Sequence, residues 1–119
     1  MKEFIFDEYE HCINPNRLEL GNKNFYLEIQ TACKDGKWLS GHRYWTRGHK
    51  DDWPCSLNTN VYDSEHTAIH NETKFLIKSL KERNERFQEY SRGFEVPEFI
   101  FSELKELEIK SKNPQLKLF

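Results

Sequence analysis

The sequence predicts an α+β fold: an antiparallel sheet of about four strands in a meander, packed by one long helix, with a short C-terminal helix and a tail. Three observations predict it. Residues 25–33 alternate so that Phe25, Leu27, Ile29, Thr31 and Cys33 share one side of an extended chain. That period of two marks a half-buried strand. Asp35-Gly36 follows at once, and this dipeptide between strand-like runs marks a tight hairpin whose central residues take φ > 0. Beyond Ser64, the residues Ile69, Leu76, Leu80 and Phe87 fall in one narrow sector at the helical period, with Thr73 and Ile77 beside it, which is the stripe of a helix lying on a sheet.

The elements follow in order. Residues 1–12 mix Phe4, Ile5 and Phe6 with Asp7, Glu8 and Glu10, a pattern that suits a short edge strand or a single helical turn. Asn14-Pro15 turns the chain, because the residue before proline is pushed out of the helical region. Arg17 to Leu20 form a short alternating strand, and Gly21 to Asn24 turn it into the run beginning at Phe25. The return strand spans Trp38 to Arg47; a loop then leads to Trp53-Pro54, and a further strand-like run reaches Tyr62. All strands thus lie within 16–62.

Asp63-Ser64 caps a long helix over about 64–90, with Lys74, Lys78, Glu82 and Glu85 off its apolar stripe and Gly93 as its stop. Val96-Pro97-Glu98 opens a short helix over about 97–109, edged by Phe101, Leu104 and Leu107, with proline in the first turn where its missing N–H costs nothing. Periodicity ends at Lys110. Residues 1–109 read as one domain and 110–119 as a linker and tail. Leu27, Ile29, Leu57, Ile69, Leu76 and Leu80 are the predicted core.

Composition narrows the function classes. A chain of 119 residues supports one core. A net charge of −2 with 32% charged residues provides no global field toward nucleic acid or membrane. Aromatics at 14% argue against disorder. No apolar run reaches the roughly 18 residues of a membrane helix, and Met1-Lys2-Glu3 shows no apolar leader. Cys12, Cys33 and Cys55 are odd in number and lack ligand spacing, as expected of free thiols in a reducing compartment. A cytoplasmic protein is expected.

The last five residues are Gln115-Leu116-Lys117-Leu118-Phe119. They resemble the Gln-Leu-x-Leu-Phe pentapeptide by which many bacterial replication, repair and mobile-element proteins bind the sliding clamp, and the match is complete at Gln115, Leu116, Leu118 and Phe119. The resemblance implies that the three apolar side chains fill a hydrophobic groove while Gln115 hydrogen-bonds at its rim. The alternative is that Leu118 and Phe119 fold back onto the core.

The hairpin offers a second candidate. From Lys34 to Lys50 there are five basic residues against one acid, interleaved with Trp38, Tyr44 and Trp45. Cations that track phosphates and aromatic faces that stack bases suit single-stranded DNA or RNA; Lys37, Trp38, Arg43, Trp45, Arg47 and Lys50 are the residues that would do it. Core packing of the aromatics is the alternative, and Asp51 and Asp52 dilute the charge.

His66 and His70 stand four apart on one helix, a spacing that can serve a metal. Cys55, Asp63 or His42 would have to complete it, and boundary packing is the simpler reading. Cys55 has no nucleophile context, and no Gly-rich phosphate loop is present. No metal, cofactor or enzymatic activity is expected.

The middle of the chain also resembles small strand–hairpin–strand–helix domains of phage and plasmid proteins, through Asp35-Gly36-Lys37-Trp38, Pro54-Cys55-Ser56 and Tyr62-Asp63-Ser64-Glu65 with Ala68. Together with the tail, this implies a non-enzymatic phage or mobile-element accessory of DNA replication, repair or partition. A phage-encoded inhibitor of a host protein such as a defence enzyme is the alternative, with a metal enzyme as a third possibility.

Overall fold

Asp35 and Gly36 have φ of 53° and 79°, the left-handed pair that a two-residue hairpin requires. This turn joins β2 (Phe25–Lys34) to β3 (Lys37–Thr46), paired antiparallel without a break from Phe25 opposite Thr46 to Lys34 opposite Lys37. Asn22 Oδ1 accepts from the N–H groups of Asn24 and Phe25, at 2.8 and 3.1 Å, closing the turn that delivers β1 (Asn16–Gly21) to the other edge of β2. These local signals act as the sequence predicts. A computed structural model describes residues 2–46, 49–57, 60–90, 95–113 and 118.

The fourth strand is not where the pattern put it. The predicted loop before Pro54 contains β4 (His49–Trp53), antiparallel to β3 from His42 opposite Trp53 to Thr46 opposite His49. As an edge strand it is rich in charge, which protects an open edge and erases the apolar alternation. The predicted run to Tyr62 shrinks to β5 (Val61–Tyr62), opposite Trp38 and Leu39 of β3. Between them the backbone crosses over β3 at Gly41, where an added Cβ would lie 2.5 Å from both the Cys55 nitrogen and the Trp53 oxygen. The open sheet runs β1-β2-β3-β4, with β5 sharing β3.

Helix α1 (Glu65–Tyr90) begins as predicted: Ser64 Oγ accepts from the Thr67 N–H at 3.1 Å, an N-cap. Ile69, Leu76, Ile77 and Leu80 of this helix join Leu18, Phe25, Leu27, Ile29 and Tyr44 of the sheet in the main core. Phe87, expected on the stripe, is only half-buried. Helix α2 (Glu98–Ser111) adds Ile100, Phe101, Leu104 and Leu107 to the same core. Pro97 is its N-cap residue, and the helix continues through Lys110 and Ser111, which the sequence reading gave to the linker. The Asn84 side chain ties α1 to the entry of α2 through the Val96 N–H and carbonyl, at 2.6 and 3.1 Å. Gly93 lies outside the described residues.

The sheet is also covered on part of its second face. Cys12, Ala32, Leu39 and Cys55 form a small cluster with Phe4, Phe6 and Leu57. Leu57, predicted in the main core, is half-buried here instead. The N-terminal segment is neither helix nor extended edge strand. It is held by single bridges, Phe6 to Cys12 and His11 to Ser56, and by Cys12 N–H to the Cys55 carbonyl at 2.8 Å. Ala32 is buried in this cluster, and Glu28 and Gln30 are buried farther along the same face, although alternation aims all three at water. Among the described residues no helix is long and apolar enough to cross a membrane.

Candidate binding surfaces

The second face of the sheet is left uncovered at the far end of the hairpin. Tyr26 and Trp45 sit opposite each other there, their rings stacked at 5.8 Å and 26°. Around them the charges cancel. Arg43 lies 3.3 Å from Asp52 and 4.0 Å from Glu28, and Arg17 lies 3.5 Å from Glu28. Gln30 also donates to Glu28, at 2.7 Å, so this buried carboxylate organises three strands. The Tyr26 hydroxyl donates to it as well. Burial first, and then that hydrogen bond, raise the Tyr26 pKa above its ordinary value.

Of the hairpin residues picked for nucleic acid, Arg43, Trp45 and Lys50 come together here, Lys50 standing opposite Trp45. Lys37 and Trp38 do not join them: β3 rises about 26 Å from Lys37 to Trp45. Lys37 Nζ is 2.6 Å from Asp63 Oδ1, and its hydrogen bond holds the exposed Asp63 carboxyl below the usual range. Trp38 packs edge-on against Phe4 at 6.0 Å. Arg47 lies outside the described residues.

In the C-terminal pentapeptide, Leu118 is half-buried against the main core. It lines a groove with Leu18 and Leu20 of β1 and Leu107 of α2. Gln115, Leu116, Lys117 and Phe119 lie outside the described residues.

Of the histidine pair, His70 is taken up by the neighbouring helix. His70 Nδ1 is 3.0 Å from Ser111 Oγ and 3.1 Å from the Glu108 carbonyl, so it clips α1 to α2, while His66 is half-buried. Among the described residues no three His, Cys, Asp or Glu side chains are grouped to hold a metal. Burial pushes the Cys55 thiol up to about 12, which suppresses the thiolate a nucleophile needs.

One polar group on the helix-covered face escaped the sequence reading. Glu72 of α1 is buried, with Oε1 accepting from Ser40 Oγ and Oε2 lying against His42 Nδ1, both at 2.7 Å. The His42 ring stacks on Tyr44 at 6.1 Å and leans on Phe75 at 5.9 Å. Its Nε2 is 4.0 Å from Asp51, which Arg83 approaches to 3.6 Å. Ser40 donates to the carboxylate rather than to the imidazole, so hydroxyl and base are not paired as in nucleophilic catalysis. A cleft of about 300 Å3 opens beside Glu72 under Trp53 and Phe75. A signal was present: Glu72 is three residues after Ile69 and four before Leu76, a charge inside the apolar stripe.

No protein-family model, curated protein or solved structure matches this chain.

Proposed function

We propose that this chain is a non-enzymatic binding protein that engages a protein partner through the uncovered end of its sheet, with Trp45 and Tyr26 as the anchors. One observation carries the reading: an exposed Trp45 stacked on a half-buried Tyr26, set in a charge-balanced surround. Interface cores are enriched in Tyr, Trp and Arg and depleted of net charge, whereas a phosphate-tracking surface needs cations that are not already matched. Here Arg17 and Arg43 face Glu28 and Asp52. The pentapeptide resemblance supplies a second proposed contact, a bacterial sliding clamp bound by the tail. Two such contacts make an adaptor, which suits an accessory of phage or mobile-element DNA replication, repair or partition. With the sheet face alone, the protein acts as an inhibitor of one host protein.

Single-stranded nucleic acid is the second reading, favoured by Lys23, Asn24 and Thr46 lining a hollow beside Trp45 and by Lys50 opposite it. Mobility shifts at low salt, set beside pull-downs from bacterial lysate, separate the two. The protein reading expects no shift with any oligonucleotide and a captured protein lost on Trp45→Ala. A shift that weakens in both Trp45→Ala and Lys50→Ala overturns it in favour of nucleic acid.

A further inference from the structure

The cleft beside Glu72 lies on the opposite side of the sheet from Tyr26 and Trp45, and it stands or falls without them. We infer that it is a binding site for a guanidinium group, presented by a small guanidino compound or by an arginine side chain.

The floor is the Glu72 carboxylate. It is nine-tenths buried, and each oxygen has one close polar neighbour, Ser40 Oγ on one and His42 Nδ1 on the other. A carboxylate oxygen accepts two, so each keeps room for a further donor. Among the described residues no lysine or arginine lines the cleft. The nearest arginine in this network, Arg83, is directed to Asp51 at 3.6 Å. Burying a carboxylate without a cation is costly, and an apolar residue of similar size serves stability better. Among the described residues, then, this acid meets the Ser40 hydroxyl and the His42 imidazole, and no lysine or arginine reaches it across the cleft.

The walls select the shape of that partner. Trp53 and Phe75 both line the cleft and are more than half exposed, at 59% and 56%, and Tyr62 stands with them. These are large aromatic faces kept in water beside a carboxylate. Aromatic faces attract cations, and a guanidinium does both tasks at once: it stacks flat on a ring while its N–H edge meets a carboxylate. Asn71 gives its amide N–H to the Thr67 carbonyl at 2.9 Å, which leaves its oxygen as an acceptor on the rim. An anion is repelled by Glu72, and an apolar ligand strips water from that carboxylate without offering it a further donor.

The test is a two-dimensional amide NMR titration of the full chain with agmatine, and separately with a blocked Gly-Arg-Gly peptide. Saturable shifts are expected around Ser40, Trp53, Glu72 and Phe75 at roughly millimolar ligand, given the few contacts a small cation makes. Glu72→Gln should weaken binding by about tenfold or more through loss of the charge-assisted bond. Because Glu72 also supports the fold, Phe75→Ala provides the second variant: its ring is mostly exposed, so the domain persists while binding drops several-fold. Stronger binding of agmatine identifies a small-molecule source, and stronger binding of the peptide identifies a protein side chain. The inference is overturned if neither probe gives saturable shifts, if a neutral blocked norleucine binds equally, or if Phe75→Ala leaves binding unchanged.

Discussion

His42 Nδ1 of β3 and Glu72 Oε2 of α1 lie 2.7 Å apart in the buried layer between helix and sheet. Together with Ser40, which donates to the other oxygen, this contact ties α1 to the hairpin where the two cross. Glu72→Leu leaves both partners buried without an acceptor, and stability should fall by about 2–4 kcal/mol. The triple variant Ser40→Ala, His42→Phe, Glu72→Leu keeps the ring stack on Tyr44 and Phe75 and should recover most of that loss. Urea unfolding measures both; a triple variant no better than the single one would show that shape, not polar satisfaction, governs the site.

Gly41 is the second point of sensitivity. Any Cβ there runs into the backbone of Trp53 and Cys55 at 2.5 Å, and backbone cannot swing aside as a side-chain tip does. Gly41→Ala should cost about 1–3 kcal/mol and lift residues 54–57 from the sheet. Faster reaction of Cys55 with a thiol reagent would report the uncovering, and wild-type protection in the variant would refute the crossing.

Alkaline pH should weaken the fold. Burial pushes the Tyr44 hydroxyl from 10.0 up to about 12, with Arg83 opposing and Asp51 adding to the rise. The folded value lies above the unfolded one, so the contribution is complete below about pH 10 and is lost as pH rises through about 12. It amounts to about 3 kcal/mol at most. Cys55 shifts in the same direction. Melting temperatures of Tyr44→Phe should fall less steeply than wild type across that window; parallel curves would remove Tyr44 as a cause.

The tail carries a competition. Leu118 rests on Leu18, Leu20 and Leu107, so truncation after Asn113 should cost only about 1 kcal/mol, a half-buried leucine's share. Leu76→Ala, in the centre of the core, should cost about 2–5 kcal/mol. If the pentapeptide binds a sliding clamp, Leu118 must first leave its groove. The free peptide of residues 113–119 should then bind about fivefold more tightly than the whole chain. Calorimetry on both forms decides it: equal affinities would mean that docking in the groove does not compete.

What the sequence determined by itself is what neighbours along the chain decide. Asp35-Gly36 forces its turn because few residues tolerate φ > 0, Ser64 caps α1 because its hydroxyl is in reach of Thr67, and the stripe from Ile69 to Leu80 follows from helical period alone. What needed the tertiary structure depends on contacts distant in sequence. Edge strand β4 carries charge for solubility, so no apolar period marks it. Glu28 and Ala32 alternate as if exposed, yet Arg17, Arg43 and the segment at Cys55 cover them. Lys37 and Trp45, close in sequence, are separated by the length of an extended strand. Ser40 and Glu72 are 32 positions apart, and they meet only because strand register and helix crossing are both set by the core around them.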